Sequence, residues 1–206
     1  DTGFGNALNV QRTVQLFEQR GGAAIQLEDQ TLPKRCGHLE GKQLIPVEEM
    51  LGKLAAAQDA RQDPGTMIIA RTDAIAVAGL DEALARGEAY VDAGADVLFV
   101  ESPRNRDELA AVGAALGSKV PLLANMVEGG KTPVLPADEL GALGFRLVIH
   151  PGAMVRALSR AGAEYLDVLR RDGTTAAHLD RMYDFDRINA LIGTQAMIDK
   201  AQKYSE

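Results

Sequence analysis

The chain has 206 residues, of which 46% are hydrophobic, and a net charge of −7 with histidine neutral, so one globular domain over residues 1–206 is expected. The acidic balance argues against nucleic acid as a partner, and no apolar stretch reaches the ~20 residues of a membrane helix. Cys36 is the single cysteine, which excludes an intrachain disulfide and, with no signal peptide pattern, predicts a cytoplasmic protein.

The first third of the chain predicts a loop, a helix, a strand and a second helix. Glycines at positions 3 and 5 predict a loop over 1–6, and apolar residues at helical spacing predict a helix that ends at Gly21 and Gly22. A buried strand follows at 23–28. Pro46 begins the next helix, which ends at the turn 62–65.

The rest of the chain repeats the strand and helix alternation before it becomes wholly helical. Strands are predicted at 67–70, 96–101, 120–125 and 145–150, and helices at 80–93, 106–116 and 136–143. Five apolar strands that alternate with helices predict a parallel α/β sheet covered by helices. From 152 to 206 a helical extension is predicted, with one helix from 154 to the segment 170–173, a second over 179–192 and a third from 195 to the terminus. Its apolar faces favour packing on the barrel exterior or on a neighbouring subunit.

Polar residues of different chemistry follow the predicted strands. They are Glu28, Arg71, Glu101, Asn125 and His150, and Asp1 would join them if a strand preceded it. In a parallel barrel the carboxyl ends of the strands form the rim on which the active site is assembled. Solvated loops also place single charged residues after buried strands, but six such positions favour an active site.

The loop Lys34-Arg35-Cys36-Gly37-His38 follows the first strand. Nearby positive charge stabilises a thiolate, so Cys36 is a candidate nucleophile, general base or, when protonated, general acid. An unreactive cysteine that happens to lie in a basic surface loop is an equal alternative from sequence alone.

Five motifs together resemble the isocitrate lyase and phosphoenolpyruvate mutase superfamily, and most of all its 2-methylisocitrate lyase branch. The motifs are Asp1-Thr2-Gly3-Phe4-Gly5, Leu27-Glu28-Asp29-Gln30, Lys34-Arg35-Cys36-Gly37-His38, Ala70-Arg71-Thr72-Asp73-Ala74 and Phe99-Val100-Glu101. The resemblance implies a TIM-type (β/α)8 barrel with C-terminal helices, in a homotetramer whose last helix swaps between paired subunits. It also implies three barrel strands before Asp1 that this sequence does not contain, and therefore a fragment of a longer protein.

The resemblance implies a Mg2+-dependent carbon-carbon lyase, with Mn2+ as an alternative ion, held by Asp1 and Glu28. The substrate would be a 2-hydroxy di- or tricarboxylic acid, 2-methylisocitrate-like or 2-alkylmalate-like, that is cleaved to a 2-oxo acid and a carboxylate product. Cys36 resembles the general acid, with His38 and Glu101 tuning its proton. Arg71 resembles the arginine that binds a substrate carboxylate.

The resemblance also implies a wider set of substrate contacts. Asn125 matches a hydrogen-bond donor, and Lys34, Arg35 and Gly37 belong to the loop that would close over the anion. Arg156 and Arg181 match arginines that hold the extra carboxylates of a tricarboxylic substrate, although each, taken alone, is typical of an ordinary solvated helix cation.

Three departures from the branch pattern leave the substrate open. Val127 stands where a hydroxyl residue is usual, His150 replaces an aromatic residue, and Gly152-Ala153 is less bulky than expected. The segment 125–133 is closer to the mutases, the 2-alkylmalate lyases and the oxaloacetate hydrolases. A phosphonomutase or carboxyphosphonoenolpyruvate-type enzyme is therefore one alternative, which Cys36 disfavours, and a truncated barrel without catalysis is another.

Overall fold

The computed structural model describes residues 1–204. The chain divides into two compact units, one of residues 1–153 and one that begins at Met154. The boundary lies close to residue 152, where the helical extension is predicted to begin. No helix within residues 1–204 combines the length and the apolar character needed to cross a membrane.

The first unit is built on a parallel five-stranded sheet in which the strands lie side by side in chain order. The strands are β1 Ala24–Glu28, β2 Met67–Thr72, β3 Val97–Val100, β4 Leu122–Asn125 and β5 Phe145–Ile149. The predicted parallel α/β architecture is confirmed, with every strand found within its predicted segment or a residue or two of it. Closure into an eight-stranded barrel and the swapped oligomer stay predictions.

The helices of this unit are α1 Ala7–Gln19, α2 Val47–Ala60, α3 Ala74–Ala78, α4 Leu80–Asp92, α5 Arg106–Leu116 and α6 Ala137–Ala142. The sequence predicted all of them except α3. Helix α3 has five residues and ends at Gly79, whose φ of 94° breaks the helical path before α4 begins. So short a segment contains too few residues to show helical periodicity.

The loop before α1 is fixed at both ends, which places Asp1 beside β1. The Asn6 side chain accepts hydrogen bonds from the N–H groups of Leu8 and Asn9, and the Asn9 side chain accepts one from the N–H of Asn6, which forms a reciprocal cap. At the other end, the N–H of Glu28 donates to the carbonyl of Asp1 at 3.0 Å. Asp1 and Glu28 are therefore neighbours.

Side chains alternate between the two faces of the sheet and so separate the core from the site. Leu27, Ile68, Leu98 and Leu122 belong to the main core, together with helix residues that include Met50, Leu54, Tyr90, Leu109 and Val112. The opposite face carries a smaller cluster of Val97, Phe99 and Leu123, packed with Ile69 and Ile149. Every second residue of a strand points to the same face, so the next positions on this second face, toward the carboxyl ends of the strands, are Glu28, Arg71, Glu101 and Asn125.

The second unit is mainly helical, as predicted. It contains α7 Ala153–Asp172, a 3-10 helix Ala176–Arg181, α8 Phe185–Ile192 and α9 Thr194–Gln202. The predicted continuous helix over 179–192 is wrong. Asp184 interrupts it, because its side chain accepts a hydrogen bond from the N–H of Arg187 at 2.7 Å and so caps a new helix.

Candidate active site

Strand register brings the polar residues of β1 and β2 together. Glu28 on β1 lies opposite Arg71 on β2, and Arg71 lies opposite Phe99 on β3. Directly opposed residues of neighbouring strands point to the same face, so these three side chains form a row across the carboxyl ends of the strands. The next position on this face of β3 is Glu101, and Asn125 ends β4.

Arg71 is buried and held by charge on three sides. Its Nε and Nη2 donate to the two carboxylate oxygens of Asp73 at 2.9 and 3.1 Å, a bidentate pair. Nε also lies 3.4 Å from Glu28 Oε2, and the guanidinium carbon lies 4.9 Å from the centre of the Phe99 ring. Burial lowers the pKa of Arg71, but the Asp73 hydrogen bonds and the charges of Asp73, Glu101 and Glu28 outweigh it and raise that pKa above its usual range.

Glu101 is the carboxylate that most of the other site residues approach. Its Oε1 lies 3.3 Å from His38 Nε2, 3.9 Å from Arg71 Nη2 and 3.2 Å from Ser102 Oγ. Asn125 Nδ2 donates to Oε2 at 3.2 Å. Because Glu101 is almost fully buried, its charge is exerted on these neighbours with little screening by water.

His38 is oriented by the loop that follows β4. The backbone N–H of Lys131 donates to His38 Nδ1 at 3.1 Å, so Nδ1 acts as an acceptor and the ring proton is inferred to be on Nε2, the nitrogen that faces Glu101. The space for the ring depends on Gly130, where a Cβ would come within 2.8 Å of His38 Cε1. Lys131 Nζ also donates to Glu40 at 2.6 Å, which links the two loops a second time.

One cavity of about 490 Å3 collects most of the predicted site residues. Cys36 is exposed and lines this cavity. The other predicted residues around it are Lys34, Gly37, His38, Arg71, Glu101 and Asn125. The wall is completed by Gln26 and Phe99 and by the small or apolar residues Val127, Ile149, Pro151 and Gly152.

Asp1 and Glu28 present the oxygen donors expected for a magnesium ion. Among the described residues, neither carboxylate oxygen of Glu28 finds a hydrogen-bond partner although the residue is fully buried, and its charge faces Lys34 Nζ and Arg71 Nε, each at 3.4 Å. Within residues 1–204 no group of three His, Cys, Asp or Glu side chains forms a metal cluster. Two carboxylates still fit Mg2+, because this ion keeps several waters and commonly takes one or two protein carboxylates together with substrate oxygens.

The remaining predicted residues are not among those that line this cavity. Arg35 Nη1 donates to the carbonyl of Glu40 at 2.9 Å, and Arg35 lines a separate cavity of about 190 Å3. His150 pairs with Glu128 through Nδ1 at 3.2 Å. Arg156 and Arg181 belong to the second unit, where Arg156 is exposed and Arg181 pairs with Glu164 at 2.7 Å. The substrate roles of these arginines stay predictions.

Sequence reasoning missed four residues of the site. Gln26 and Phe99 had a usable signal, since each lies two positions before a predicted site residue on the same strand face. Asp73 lies in the motif 70–74. Its carboxylate reaches Arg71, two residues earlier, because the chain turns back there, and residue spacing does not reveal such a turn. Ser102 had no signal, because its position depends on a φ of 59° that is uncommon for a residue other than glycine.

The family model described as phosphoenolpyruvate phosphomutase matches residues 1–169. The chain therefore belongs to the PEP mutase family of the isocitrate lyase and PEP mutase superfamily, which confirms the superfamily predicted from the five motifs. Members of this superfamily are enzymes that include lyases, mutases and hydrolases.

Curated relatives with different activities are similarly close to the chain. It is 46% identical over 205 residues to a 2,3-dimethylmalate lyase of Eubacterium barkeri, covering 100% of this chain and 70% of the relative. It is 44% identical over 208 residues to the chloroplastic carboxyvinyl-carboxyphosphonate phosphorylmutase of Arabidopsis thaliana, with coverage of 100% and 61%. It is 45% identical over 193 residues to a 2-methylisocitrate lyase of Aeropyrum pernix, with coverage of 94% and 61%. The chain thus spans about three fifths to seven tenths of these relatives.

A solved structure supports the same fold. A phosphonopyruvate hydrolase in complex with oxalate and Mg2+ superposes with a TM-score of 0.83 at 35% identity, covering 100% of this chain and 71% of the hydrolase. That relative holds both a dicarboxylate and the metal ion.

Proposed function

We propose that this chain carries the active site of a Mg2+-dependent carbon-carbon lyase that cleaves a 2-hydroxy di- or tricarboxylic acid, 2-alkylmalate-like or 2-methylisocitrate-like, to a 2-oxo acid and a carboxylate product. The observation that carries the proposal is the cavity lined by Cys36, His38, Arg71, Glu101 and Asn125. These residues offer an acid, an anion clamp and an amide donor around a volume suited to a small molecule.

Arg71 is proposed to bind a substrate carboxylate. Asp73 uses Nε and one side of Nη2, so the edge formed by Nη1 and Nη2 keeps the fork geometry that matches a second carboxylate. Fixing the guanidinium in advance lowers the entropy lost on binding. Asn125 donates a hydrogen bond to Glu101, and its side-chain amide lies at the wall of the same cavity. Lys34 adds positive charge at the cavity, which favours a dianionic or trianionic substrate.

Cys36 is proposed to be the general acid. A carboxylate of the site takes the proton of the substrate hydroxyl as the bond between the hydroxyl carbon and the neighbouring carbon breaks. The electron pair of that bond remains on the neighbouring carbon and takes a proton from the thiol. The resulting thiolate lies in a loop with Lys34, Arg35 and His38. His38 Nε2 lies 3.3 Å from Glu101 Oε1. We propose that these two side chains control the protonation of the Cys36 thiol.

Asp1 and Glu28 are proposed to hold Mg2+, or Mn2+ in its place, on the same rim. When bound, the ion supplies positive charge that stabilises the oxygen of the forming 2-oxo acid. The phosphonopyruvate hydrolase that binds Mg2+ and oxalate supports this assignment by likeness. The buried Glu28 oxygens, which accept no hydrogen bond from the described residues, support it from this chain itself.

Phosphorus-carbon bond chemistry is the second candidate. The phosphorylmutase at 44% identity and the phosphonopyruvate hydrolase favour it, as does the loop 128–133, which contacts His38. Cys36 at the cavity favours the lyase, because protonation of a carbanion needs an acid there. A chain that contributes only to assembly is the third candidate.

The test is an assay of the native protein, in its full length, with 2,3-dimethylmalate, 2-methylisocitrate, isocitrate and phosphonopyruvate. Release of a 2-oxo acid from one of the hydroxy acids, lost with EDTA and restored by Mg2+ or Mn2+, is expected. Turnover of phosphonopyruvate alone would replace the lyase with phosphonate chemistry. Failure with all four in a folded sample would favour the assembly role.

The proposal extends to the assembly of the whole protein. A homotetramer with helix-swapped dimers and a cytoplasmic location accompany the lyase function in this proposal. The exposed apolar side chains Met154, Val155 and Leu158 on α7 and Phe185 and Leu191 on α8 support a subunit interface. Light scattering of the native protein would measure its mass.

A further inference from the structure

Lys42 is a buried lysine at the back of the Cys36 loop. Only 8% of its surface is exposed. Its ammonium group donates to the carbonyl of Gly37 and, at 3.0 Å, to the carbonyl of Leu39. The N–H of Leu39 in turn donates to the carbonyl of Cys36 at 2.9 Å. Since a buried ammonium that loses its acceptors is costly, these bonds hold the turn 36–39 in one conformation.

Ser102 also approaches the Gly37 carbonyl. The Ser102 hydroxyl lies 3.2 Å from the Gly37 carbonyl oxygen and 3.2 Å from Glu101 Oε1, and it can donate its one proton to either. Ser102 has a φ of 59° and is 2% exposed. A backbone conformation that is unfavourable for serine therefore places this hydroxyl between the loop and the buried carboxylate.

A separate pair of bonds holds the residue on the other side of Cys36. Gln30 Nε2 donates to the carbonyl of Arg35 and Gln30 Oε1 accepts from the N–H of Arg35, both at 2.9 Å. The loop thus has one anchor at Arg35, next to Lys34 at the cavity, and another at Gly37, between Cys36 and His38.

We infer that Lys42 is a positioning residue that, with Ser102, holds the Gly37 peptide so that Cys36 and His38 stay at their working distance from the reacting carbon. The expected effect of Lys42 on turnover rests on the proposed function, whereas its anchoring of the loop does not. Loss of the anchor at Gly37 affects the proton donor more than Lys34, the cation at the cavity, because Gln30 still holds Arg35, the residue next to Lys34. Lys42 is therefore expected to influence kcat more than KM.

The experiment compares wild type with Lys42→Met, Lys42→Arg and Ser102→Gly in the native full-length protein. Lys42→Met keeps the length of the side chain and removes the donors, whereas Lys42→Arg restores donors and charge. Ser102→Gly removes the second donor and relieves the positive φ, so it tests the anchor without a burden on folding. Lys119→Met is the matched control, because Lys119 pairs with Glu88 and precedes β4 at the opposite end of the sheet.

Hydrogen exchange and steady-state kinetics are both measured. In Lys42→Met, exchange in the peptide 36–42 is expected to be at least ~10-fold faster, with kcat at least ~10-fold lower and KM changed less than ~3-fold. Ser102→Gly is expected to change in the same direction, and Lys42→Arg and Lys119→Met to stay within ~3-fold of wild type in both measurements. Unchanged exchange in both Lys42→Met and Ser102→Gly would overturn the anchor whatever the enzyme does.

The kinetic result separates positioning from simple support of the fold. Faster exchange with unchanged kcat in an active enzyme would overturn the positioning role of Lys42, as would equal losses in Lys42→Met and Lys42→Arg. If wild type itself turned over none of the hydroxy acids, the proposed function would fail while faster exchange still supported the anchor.

Discussion

Gly37 approaches the carboxylate of Glu101 so closely that a Cβ at position 37 would overlap it. A residue with a side chain therefore cannot occupy this position unless the loop or the carboxylate moves. The contact ties the loop that carries Cys36 to the end of β3, on which the buried Glu101 is fixed. Motion of the loop and the position of Cys36, the proposed proton donor, are thereby coupled to a rigid element.

The first prediction concerns Gly37→Ala. The added methyl group must displace Glu101 or the loop, so we expect a loss of about 1–3 kcal/mol in the free energy of unfolding and at least ~10-fold in turnover. Gly52→Ala is the control, since Gly52 is an exposed residue of α2 and a methyl group there would have no described neighbour within 4 Å. That variant is expected to be more stable by about 0.5–1 kcal/mol. Chemical denaturation measures the stability of both variants, and steady-state kinetics measures their kcat. Wild-type turnover in Gly37→Ala would contradict the close contact.

The second prediction concerns Cys36→Ser. A hydroxyl is a far weaker acid than a thiol, so turnover is expected to fall by at least ~100-fold, the usual scale for a lost acid-base group. Cys36 is exposed, so the melting temperature and Mg2+ binding are expected to stay near those of wild type. Turnover close to wild type would remove Cys36 from the mechanism.

The ends of the strands were predictable from sequence, and so were the site residues that lie at those ends. Glu28, Arg71, Glu101 and Asn125 follow apolar runs, and a parallel sheet brings the carboxyl ends of such runs to one edge. Asp73, Ser102 and Lys42 could not be found in this way. Their placement depends on local backbone angles and on side chains that reach back along the chain, for which hydrophobic spacing carries no signal. The same limitation applies to the break at Asp184, where capping competes with an apolar pattern that continues through it.

The third prediction concerns Arg71→Lys. Lysine keeps the charge but cannot satisfy Asp73 and a substrate carboxylate with a planar fork, so KM is expected to rise by at least ~10-fold, the effect of losing about 1.5–3 kcal/mol of charged hydrogen bonding. Measurement of KM and kcat with the preferred hydroxy acid tests this. A lysine variant with an unchanged KM would show that Arg71 supports Glu28 and Glu101 rather than the substrate.

A buried network behind the site gives a prediction about pH. Tyr90 donates to Asp29 Oδ2 at 2.9 Å, Arg86 Nη1 donates to the same oxygen at 3.2 Å, and Asp29 Oδ1 accepts from the N–H of Asp73 at 2.9 Å. Burial first, and then the charge of Asp29 and its hydrogen bond, raise the pKa of Tyr90 above its ordinary value of 10.0. The network therefore links α4 to the residue that holds Arg71.

The fourth prediction is that Tyr90→Phe loses about 1–3 kcal/mol of unfolding free energy at neutral pH, because Asp29 loses a buried donor. A raised pKa in the folded state gives stability that is complete below about pH 10 and is lost as the pH rises toward the folded value, since the unfolded chain releases its proton first. Above pH 10 wild type is thus expected to lose stability more steeply than Tyr90→Phe. Urea unfolding at pH 7, 9, 10 and 11 measures the difference, and parallel curves for the two proteins would contradict it.

The fifth prediction distinguishes the tricarboxylic from the dicarboxylic substrate. Arg156→Ala and Arg181→Ala are expected to raise KM for 2-methylisocitrate at least ~10-fold more than for 2,3-dimethylmalate, because only the former has a third carboxylate to bind. Arg160→Ala is the control for Arg181, since Arg160 and Arg181 each pair with Glu164, at 2.8 and 2.7 Å. If Arg181→Ala and Arg160→Ala gave the same small effect, the role of Arg181 would be limited to its surface ion pair. Equal changes in KM for both acids would show that neither arginine recognises the third carboxylate.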